Sequence, residues 1–263
     1  MKELFAAERY KKIKQVLIEY GRADVNTLSD LLAVSEVTVR KDLEKLEMQG
    51  FLDRTHGGAV LNEAGFIKGE EIEEQQISEL EDKKMIGSIA SQLVENKDTI
   101  FIGPGSTCSQ MAKNFKEKKD LIVITNNMDI VVEMFSENNC KVIVTGGDLD
   151  RNGSSFMLTG ELLNSTFKDI YVDKAFISVD GISFNRGFTI RNISLASFYR
   201  EIKSHCNELI ILADHTKFDQ NAVSPIGYLT MADKIISNQK IPGAYTKYFF
   251  ENNIPVFTTY QFT

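Results

Sequence analysis

Short apolar runs alternate with amphipathic segments from residue 84 to the end of this 263-residue chain. The runs at 121–125 (Leu-Ile-Val-Ile-Thr) and 208–213 (Glu-Leu-Ile-Ile-Leu-Ala) have the length of strands and unbroken apolar centres. Strands of this kind are buried on both faces, which requires a mostly parallel sheet that helices cover. The pattern therefore predicts a doubly wound α/β domain.

The predicted strands and helices of this domain follow one another in a regular order. The strands are expected at 99–102, 121–125, 141–145, 174–179, 208–213, 234–237 and 255–259. The helices are expected at 84–95, 106–116, 128–137, 194–206 and 244–252. Strands such as 141–145 (Lys-Val-Ile-Val-Thr) are expected to be buried on both faces.

The first 61 residues follow a different pattern of short helices and a small hairpin. Apolar residues at helical spacing end at Gly21, and Thr27-Leu-Ser-Asp30 has the form of a capping box with Thr27 as N-cap. Leu28, Leu31 and Leu32 are expected to form the buried stripe of that second helix. Ser35 is the expected N-cap of a third helix, whose apolar face is Val39, Leu43 and Leu46.

The second and third helices have helix-turn-helix spacing, and 51–61 reads as two short strands around Gly57-Gly58. The charged face of the third helix fits a DNA major groove, and the glycines would let a wing approach the DNA backbone. The alternative is a small helical bundle whose charged face is only solvated. The predicted DNA-binding residues are Thr27, Ser35, Glu36, Val37, Thr38, Arg40, Lys41, Arg54, His56, Gly57 and Gly58.

The net charge of −7 does not exclude a DNA partner, because the acidity is local. Residues 1–61 are neutral overall, 62–84 carry a net −5 and 85–263 a net −2. What matters for DNA is where the cations cluster. The acidic stretch 62–84 is expected to be a linker that runs into a helix, which gives three parts: 1–61, 62–84 and 85–263.

Several classes of protein are excluded by composition. The three cysteines form no CxxC pair and the three histidines have no ligand spacing, so no disulfide framework, metal site or cofactor is expected. No apolar run approaches the roughly 20 residues of a membrane helix, and the N-terminus is too charged for a signal peptide. We expect a cytoplasmic protein without a membrane partner.

A glycine-rich loop, Gly103-Pro-Gly105-Ser106-Thr107, joins the first strand of the α/β domain to a helix. Such a loop can wrap an anion, although it is neither a Walker A loop nor a GxGxxG motif. The alternative is a tight turn that binds nothing. Polar residues also follow other strands, and the carboxyl ends of parallel strands meet at one edge of the sheet. Lys217 is expected to be a second phosphate anchor there.

These motifs resemble those of the DeoR family of transcription regulators. In the first 60 residues the resemblance lies in Val34-Ser35-x-x-Thr38-Val-Arg40-Lys-Asp-Leu, Leu46-Glu-x-x-Gly50 and Arg54-Thr-His56-Gly-Gly-Ala. It implies a winged helix-turn-helix whose motif spans about 25–44. In the remainder, GPGSTCSQMAK, VITNN, VIVTGGDLD, AFISVDGIS, RGFT and LADHTKF look like the family's effector-sensing domain, which is similar in fold to ribose-5-phosphate isomerases and CoA transferases.

The resemblance also implies a ligand set. Gly105, Ser106, Thr107 and Lys217 would hold the phosphate of a phosphorylated sugar, and Asn126, Asp180 and Arg191 would lie nearer its hydroxyls. Gly103 is counted with the effector-binding loop, although many family members carry an acid at that position. Many family members have Thr-Asp near the position of Ser237-Asn238. Members also commonly carry a Glu in the segment where this chain has Leu195-Ala196.

The alternative function is a sugar-phosphate isomerase. Such an enzyme needs a carboxylate base, and the related isomerases place two acids in a DGAD-like run. Here the run is Asp180-Gly-Ile-Ser183, without the second acid. We therefore expect no catalytic residues. The expected function is a repressor of a sugar or carbon-metabolism operon that binds double-stranded operator DNA as a homodimer or homotetramer and responds to a phosphorylated sugar or related metabolite.

Overall fold

The computed structural model describes residues 5–135, 140–152 and 155–259, without the side chains of residue 7 and residues 63–77. Contacts divide the chain into two units, Met1–Ser78 and Glu79–Thr263. Each unit has its own apolar core, and each is described by itself below.

The N-terminal unit is a three-helix bundle with a small antiparallel sheet in the order β1-β3-β2. Its elements are α1 (Ala6–Tyr20), β1 (Arg22–Asp24), α2 (Val25–Leu32), α3 (Glu36–Met48), β2 (Leu52–Arg54) and β3 (Gly58–Leu61). This is the predicted winged helix-turn-helix, with β1 as a strand that the sequence did not predict. Gly21 ends α1 with a φ of 72°, which a glycine adopts without strain.

Ser35 is the N-cap of α3, as expected, because its side chain accepts a hydrogen bond from the Thr38 N–H at 3.3 Å. The prediction for Thr27 is wrong, since α2 begins at Val25 and Thr27 lies within its first turn. The start of α2 is set by the sheet: β1 leads directly into it, and the Val25 N–H donates to the Gly57 carbonyl at 2.9 Å. Leu31 is 51% exposed and lies outside the predicted buried stripe.

A charged pair fixes α3 onto α1 in the N-terminal unit. The Arg9 guanidinium donates to both carboxylate oxygens of Asp42, with nitrogen–oxygen distances of 2.7 and 3.1 Å. The Asp42 side chain is only 5% exposed and the Arg9 side chain 15%. A bidentate pair of this kind sets orientation as well as distance, so it determines how α3 is presented to solvent.

Helix α4 (Glu63–Gln92) has 30 residues, begins in the N-terminal unit and continues into the second unit from Glu79. The sequence placed the start of this helix at 84 and a linker before it, and the structure corrects this. Residues 62–84 lack an apolar stripe, which favoured a linker, but they are rich in Glu, Gln and Lys, which are strong helix formers.

The remaining elements of the second unit build an α/β domain. Its strands are β4 (Thr99–Ile102), β5 (Leu121–Thr125), β6 (Cys140–Val144), β7 (Asp148–Asn152), β8 (Ser155–Thr159), β9 (Val172–Ser178), β10 (Gly181–Ser183), β11 (Gly187–Ile190), β12 (Cys206–Leu212), β13 (Ser224–Gly227), β14 (Lys234–Ile236) and β15 (Val256–Phe257). Its helices are α5 (Ser106–Ala112), α6 (Met128–Met134), α7 (Glu161–Phe167), α8 (Ile193–Glu201) and α9 (Gly243–Glu251). The predicted helix 128–137 ends beyond the described residues.

Seven of these strands form one parallel sheet in the order β15-β14-β12-β9-β4-β5-β6. They are the seven strands that the sequence predicts. Alternate residues enter two cores: Phe101 packs with α7 and α8 on one face, and Ile100 and Ile102 pack with α4 and α5 on the other. The sheet is therefore covered by helices on both faces, which confirms the doubly wound fold.

Strand β6 differs from its prediction because it lies at the edge of the sheet. It was expected to be buried on both faces, yet Val144 is 41% exposed and Lys141 is also exposed. The sequence also did not predict the β7-β8 hairpin, helix α7 or the antiparallel sheet β10-β11-β13. Within the described part of the chain, no helix is long and apolar enough to cross a membrane.

The Arg9–Asp42 pair generates a prediction about stability. Replacing one partner leaves a buried charge unpaired, which costs about 3–5 kcal/mol. Arg9→Met should therefore raise the hydrogen-exchange rates of the α3 amides in the full chain, measured by mass spectrometry. Lys12→Met is the matched control, because Lys12 lies exposed on the same helix. If α3 exchanged equally in both variants, the pair would not hold the helix.

Candidate functional site

The N-terminal unit exposes one face of α3. Glu36, Val37, Arg40 and Lys41 are all exposed, and Val37 is 63% exposed although it is apolar. The Arg40 guanidinium lies 3.3 Å from the Glu36 carboxylate, and both side chains are about half exposed, at 51%. An exposed pair of this kind is worth less than about 1 kcal/mol. Arg40 can therefore leave Glu36 for a base or a phosphate at little cost.

The polar residues at the start of α3 interact with one another. The hydroxyls of Ser35 and Thr38 lie 3.0 Å apart, and Ser35 also caps the helix. These contacts give both hydroxyls a structural role at the start of α3 that needs no DNA. The Ser35 side chain is exposed and the Thr38 side chain is half-buried. Thr27 is exposed in the first turn of α2.

The wing contains β2, β3 and the turn between them. Arg54, His56 and Gly57 are exposed, and the Arg54 guanidinium approaches the Glu47 carboxylate to 3.8 Å. Gly58 is buried, and a Cβ there would lie 2.1 Å from the Ala23 carbonyl oxygen. This glycine therefore allows the close pairing of β3 with β1, and its role in DNA binding stays a prediction.

The second unit has a cavity at the carboxyl edge of its parallel sheet. Strand β4 has β5 on one side and β9 on the other, so the loops after β4 and β9 turn away from each other. Ligands of open α/β sheets bind at such a switch point. The cavity has a volume of about 280 Å³ and is lined by Lys83, Pro104, Gly105, Ser106, Thr107, Ser155, Ser178, Val179, Asp180, Ile190, Asn192, Leu195, Tyr199, Leu212, Ala213 and Lys217.

The cavity brings together five of the eight predicted effector-binding residues: Gly105, Ser106, Thr107, Asp180 and Lys217. The loop and Lys217 therefore face the same space although more than 100 residues separate them in sequence. Gly103, Asn126 and Arg191 do not line this cavity.

Each of those three residues has another role in the structure. Gly103 is buried, and a Cβ there would lie 2.3 Å from the Tyr199 hydroxyl, so only glycine fits beside Tyr199. The Asn126 amide donates to the Leu158 carbonyl at 2.9 Å and thereby joins the end of β5 to β8. Arg191 donates its backbone N–H to the Asp180 carboxylate at 2.8 Å, while its side chain is exposed.

The shape of the loop after β4 depends on Gly105 and Ser178. Gly105 has a φ of 122°, which favours glycine, and a Cβ there would lie 2.3 Å from the Ser178 Oγ. The Ser178 hydroxyl donates to the Pro104 carbonyl at 2.9 Å. The end of β9 therefore holds the loop that begins at the end of β4.

Sequence reasoning missed several cavity residues, among them Lys83, Ser178 and Tyr199. The signal for Ser178 was its place at the end of a predicted strand. Lys83 and Tyr199 come from helices that reach the cavity only in the folded chain, so no local pattern marks them. Tyr199 is completely buried, and burial raises its pKa well above the usual value, so its hydroxyl stays neutral.

The charged groups of the cavity favour an anion. Two ammonium groups belong to its lining, those of Lys83 and Lys217, against the single carboxylate of Asp180. In the part of the chain that the structure describes, the Lys217 ammonium has no hydrogen bond or ion pair. One Asp180 oxygen is already occupied by the Arg191 N–H. The hydroxyls of Ser106 and Thr107 add neutral donors.

The cavity lacks the acid pair of an isomerase. Ser183 occupies the position of the second acid, is only 6% exposed and bonds to the side chains of Asn185 and Asn221. It does not line the cavity. Among the described residues, no group of three or more His, Cys, Asp or Glu side chains could hold a metal ion.

Comparison with protein families decides the assignment of both units. Residues 9–64 match the DeoR-like helix-turn-helix domain, and residues 78–239 match the DeoR C terminal sensor domain. The chain belongs to the DeoR family. It is a DNA-binding transcription regulator with a sensor domain, and the family match identifies it as a regulator and not an enzyme.

Relatives along most of the chain support this assignment. The transcriptional regulator GolR of Listeria innocua is 34% identical over 96% of this chain and 98% of its own length. A putative aga operon transcriptional repressor of Escherichia coli is 28% identical over 90% of this chain and 87% of its own. The lactose phosphotransferase system repressor of Streptococcus mutans is 34% identical over 69% of this chain and 72% of its own.

Among solved structures, a ribose-5-phosphate isomerase in complex with phospho-erythronic acid is 18% identical over 65% of this chain and 64% of its own, with a TM-score of 0.38. That score is too low to support an inference about this regulator. The fold assignment depends on the sheet topology and the family match.

The exposed face of α3 generates a prediction about DNA binding. Arg40→Ala should weaken specific operator binding about 5- to 150-fold, since one base contact is worth ~1–3 kcal/mol. The measurement is a gel shift with operator DNA that the full chain selects from a random library. Lys12→Ala is the matched control, because it removes an exposed cation from α1 of the same unit. Equal operator affinity of the two variants would contradict the assignment of the recognition face.

Proposed function

We propose that this DeoR-family regulator represses a sugar or carbon-metabolism operon and that a phosphorylated sugar or related metabolite binds in the cavity of its sensor domain. The observation that carries the proposal is the Lys217 ammonium, which faces the same cavity as the Ser106 and Thr107 hydroxyls and has no partner among the described residues. The names of two relatives, an aga operon repressor and a lactose phosphotransferase system repressor, support the class of operon.

The N-terminal unit is proposed to read the operator through α3 and the wing. Arg40 and Lys41 are the cations of the exposed face, and Val37 offers an apolar contact to a thymine methyl group. Ser35, Thr38 and the exposed residues of the wing would contact phosphates, which position the helix without reading sequence. Operators of helix-turn-helix proteins are usually two-fold repeats, so we propose a homodimer or homotetramer.

The sensor domain is proposed to control DNA binding by unequal affinity. A ligand shifts the equilibrium only if it binds the DNA-competent and the incompetent states differently. If the metabolite lowers operator affinity by some factor, the operator lowers metabolite affinity by the same factor.

The three cysteines are free thiols, which supports a reducing cytoplasmic location.

A thermal-shift screen tests the class of ligand. Ribose 5-phosphate, hexose phosphates and inorganic phosphate are compared with the same sugars without phosphate. A compound at 100 times its dissociation constant should stabilise the protein by about 2.7 kcal/mol. Stabilisation by unphosphorylated sugars alone, or by none of these compounds, would contradict the proposal.

Lys217 provides a prediction for the same site. Lys217→Ala should weaken the binding of the stabilising phosphate compound roughly tenfold to a hundredfold, because a charge-assisted hydrogen bond is lost. Operator affinity without the compound should not change. Lys247→Ala is the matched control, since Lys247 is 76% exposed on α9 and lies outside the cavity lining. Titration calorimetry measures both variants, and equal affinities would place the phosphate elsewhere.

A further inference from the structure

Lys83 is a cavity residue that comes from α4, whereas the other lining residues follow or belong to elements after β4. Its side chain is 18% exposed, and its ammonium lies 3.6 Å from the Glu79 carboxylate, one turn earlier on the same helix. Lys84, the next residue, is 51% exposed, pairs with Glu81 and does not line this cavity. Adjacent lysines on one helix therefore face different surroundings.

The ion pair of Lys83 can be exchanged for a ligand. A pair at i and i+4 between partly exposed side chains contributes little to stability. A phosphate group with two charges accepts stronger, charge-assisted hydrogen bonds than one carboxylate at 3.6 Å. A phosphate in the cavity therefore competes well with Glu79 for the ammonium of Lys83.

Asp82, the residue before Lys83, already joins α4 to the turn that carries Lys217. Its carboxylate lies 3.7 Å from the His215 imidazole and 3.3 Å from the Lys240 ammonium. His215 and Lys217 belong to one short 3-10 turn, His215–Lys217, at the end of β12. An anion held by Lys83 and Lys217 would add a second bridge between the same helix and the same turn.

We propose that Lys83 binds the phosphate of the effector and that this contact couples the cavity to DNA binding through α4. The inference rests on the proposed function, because it assumes an anionic effector in this cavity. Helix α4 spans Glu63–Gln92, whereas the N-terminal unit ends at Ser78, so the helix is shared by both units. Coupling requires that the contact between Lys83 and the phosphate be stronger in one DNA-binding state than in the other.

The first arm of the test measures binding of inorganic phosphate to the full chain by calorimetry. Lys83→Met should weaken phosphate binding roughly tenfold to a hundredfold, as expected for one lost charge-assisted bond. Lys84→Met, which removes the same charge from the adjacent position, should bind phosphate as the wild type does. Lys83→Arg keeps the charge and should recover most of the affinity, and melting curves without phosphate verify that each variant is folded.

The second arm measures coupling. The operator affinity of each variant is determined without phosphate and at saturating phosphate, with the ionic strength matched by chloride because salt itself weakens DNA binding. The operator affinity without phosphate, divided by that at saturating phosphate, measures the coupling. In Lys83→Met this ratio should approach one, which means no coupling. Lys84→Met should keep the ratio of the wild type, since Lys84 does not line the cavity and the Lys83 contact is intact.

The outcomes separate this inference from the proposed function. If wild type binds phosphate and Lys83→Met binds it equally well, the inference is overturned while the proposed function stands. If Lys83→Met loses affinity but keeps the wild-type ratio at saturation, Lys83 only binds and the coupling role is overturned. If wild type binds neither inorganic phosphate nor any sugar phosphate, the proposed function fails and the inference fails with it.

Discussion

The position of β4 at the reversal of strand order is the constraint on which the sensor domain depends. The carboxyl ends of the parallel strands lie at one edge of the sheet, and the crossover helices that follow them cover its faces. Because β5 and β9 lie on opposite sides of β4, the loop after β4 and the loop after β9 diverge and leave a space between them. Gly105 lets the loop after β4 approach β9 closely, since a Cβ there would lie 2.3 Å from the Ser178 Oγ. The place of the cavity therefore follows from topology, and these two small residues fix the shape of the loop that lines it.

The seven parallel strands could be predicted from sequence because burial on both faces leaves a local signal. The residues of β4 and β5 were predicted without error for that reason. The signal is absent in β10, β11 and β13, which are three to four residues long and pair antiparallel outside the main sheet. Strand β6 shows a further limit: its composition is that of a central strand, although its place at the edge depends on the order of the whole sheet.

The predicted effector-binding residues also divide into those that a local sequence pattern could place and those that it could not. Gly105, Ser106 and Thr107 are consecutive, so their common position followed from one loop, and Lys217 followed from the shared edge of the sheet. Asn126 also ends a strand, but β8 reaches it first and binds its amide. The two residues that sequence could not supply, Lys83 and Tyr199, lie on helices whose register against the sheet depends on packing. The burial of Asp42 does have a signal in the sequence. An acid on the same helix face as Val39 and Leu46 interrupts an apolar stripe and requires a buried partner.

A chain with a net charge of −7 can contain two surfaces that favour anions because electrostatic interactions are local. At physiological ionic strength, screening acts over about 8 Å, so an exposed cation on α3 is little affected by acids on distant elements. The cavity lining contains two ammonium groups and one carboxylate, and charges at such short range interact more strongly than screened surface charges do. The surplus of acids lies in 62–84, where α4 begins. Lys83 is one of only three cations in that stretch, and its side chain belongs to the cavity lining. The position of a single lysine, rather than the sum of charges, therefore gives the acidic helix a cation in the cavity lining.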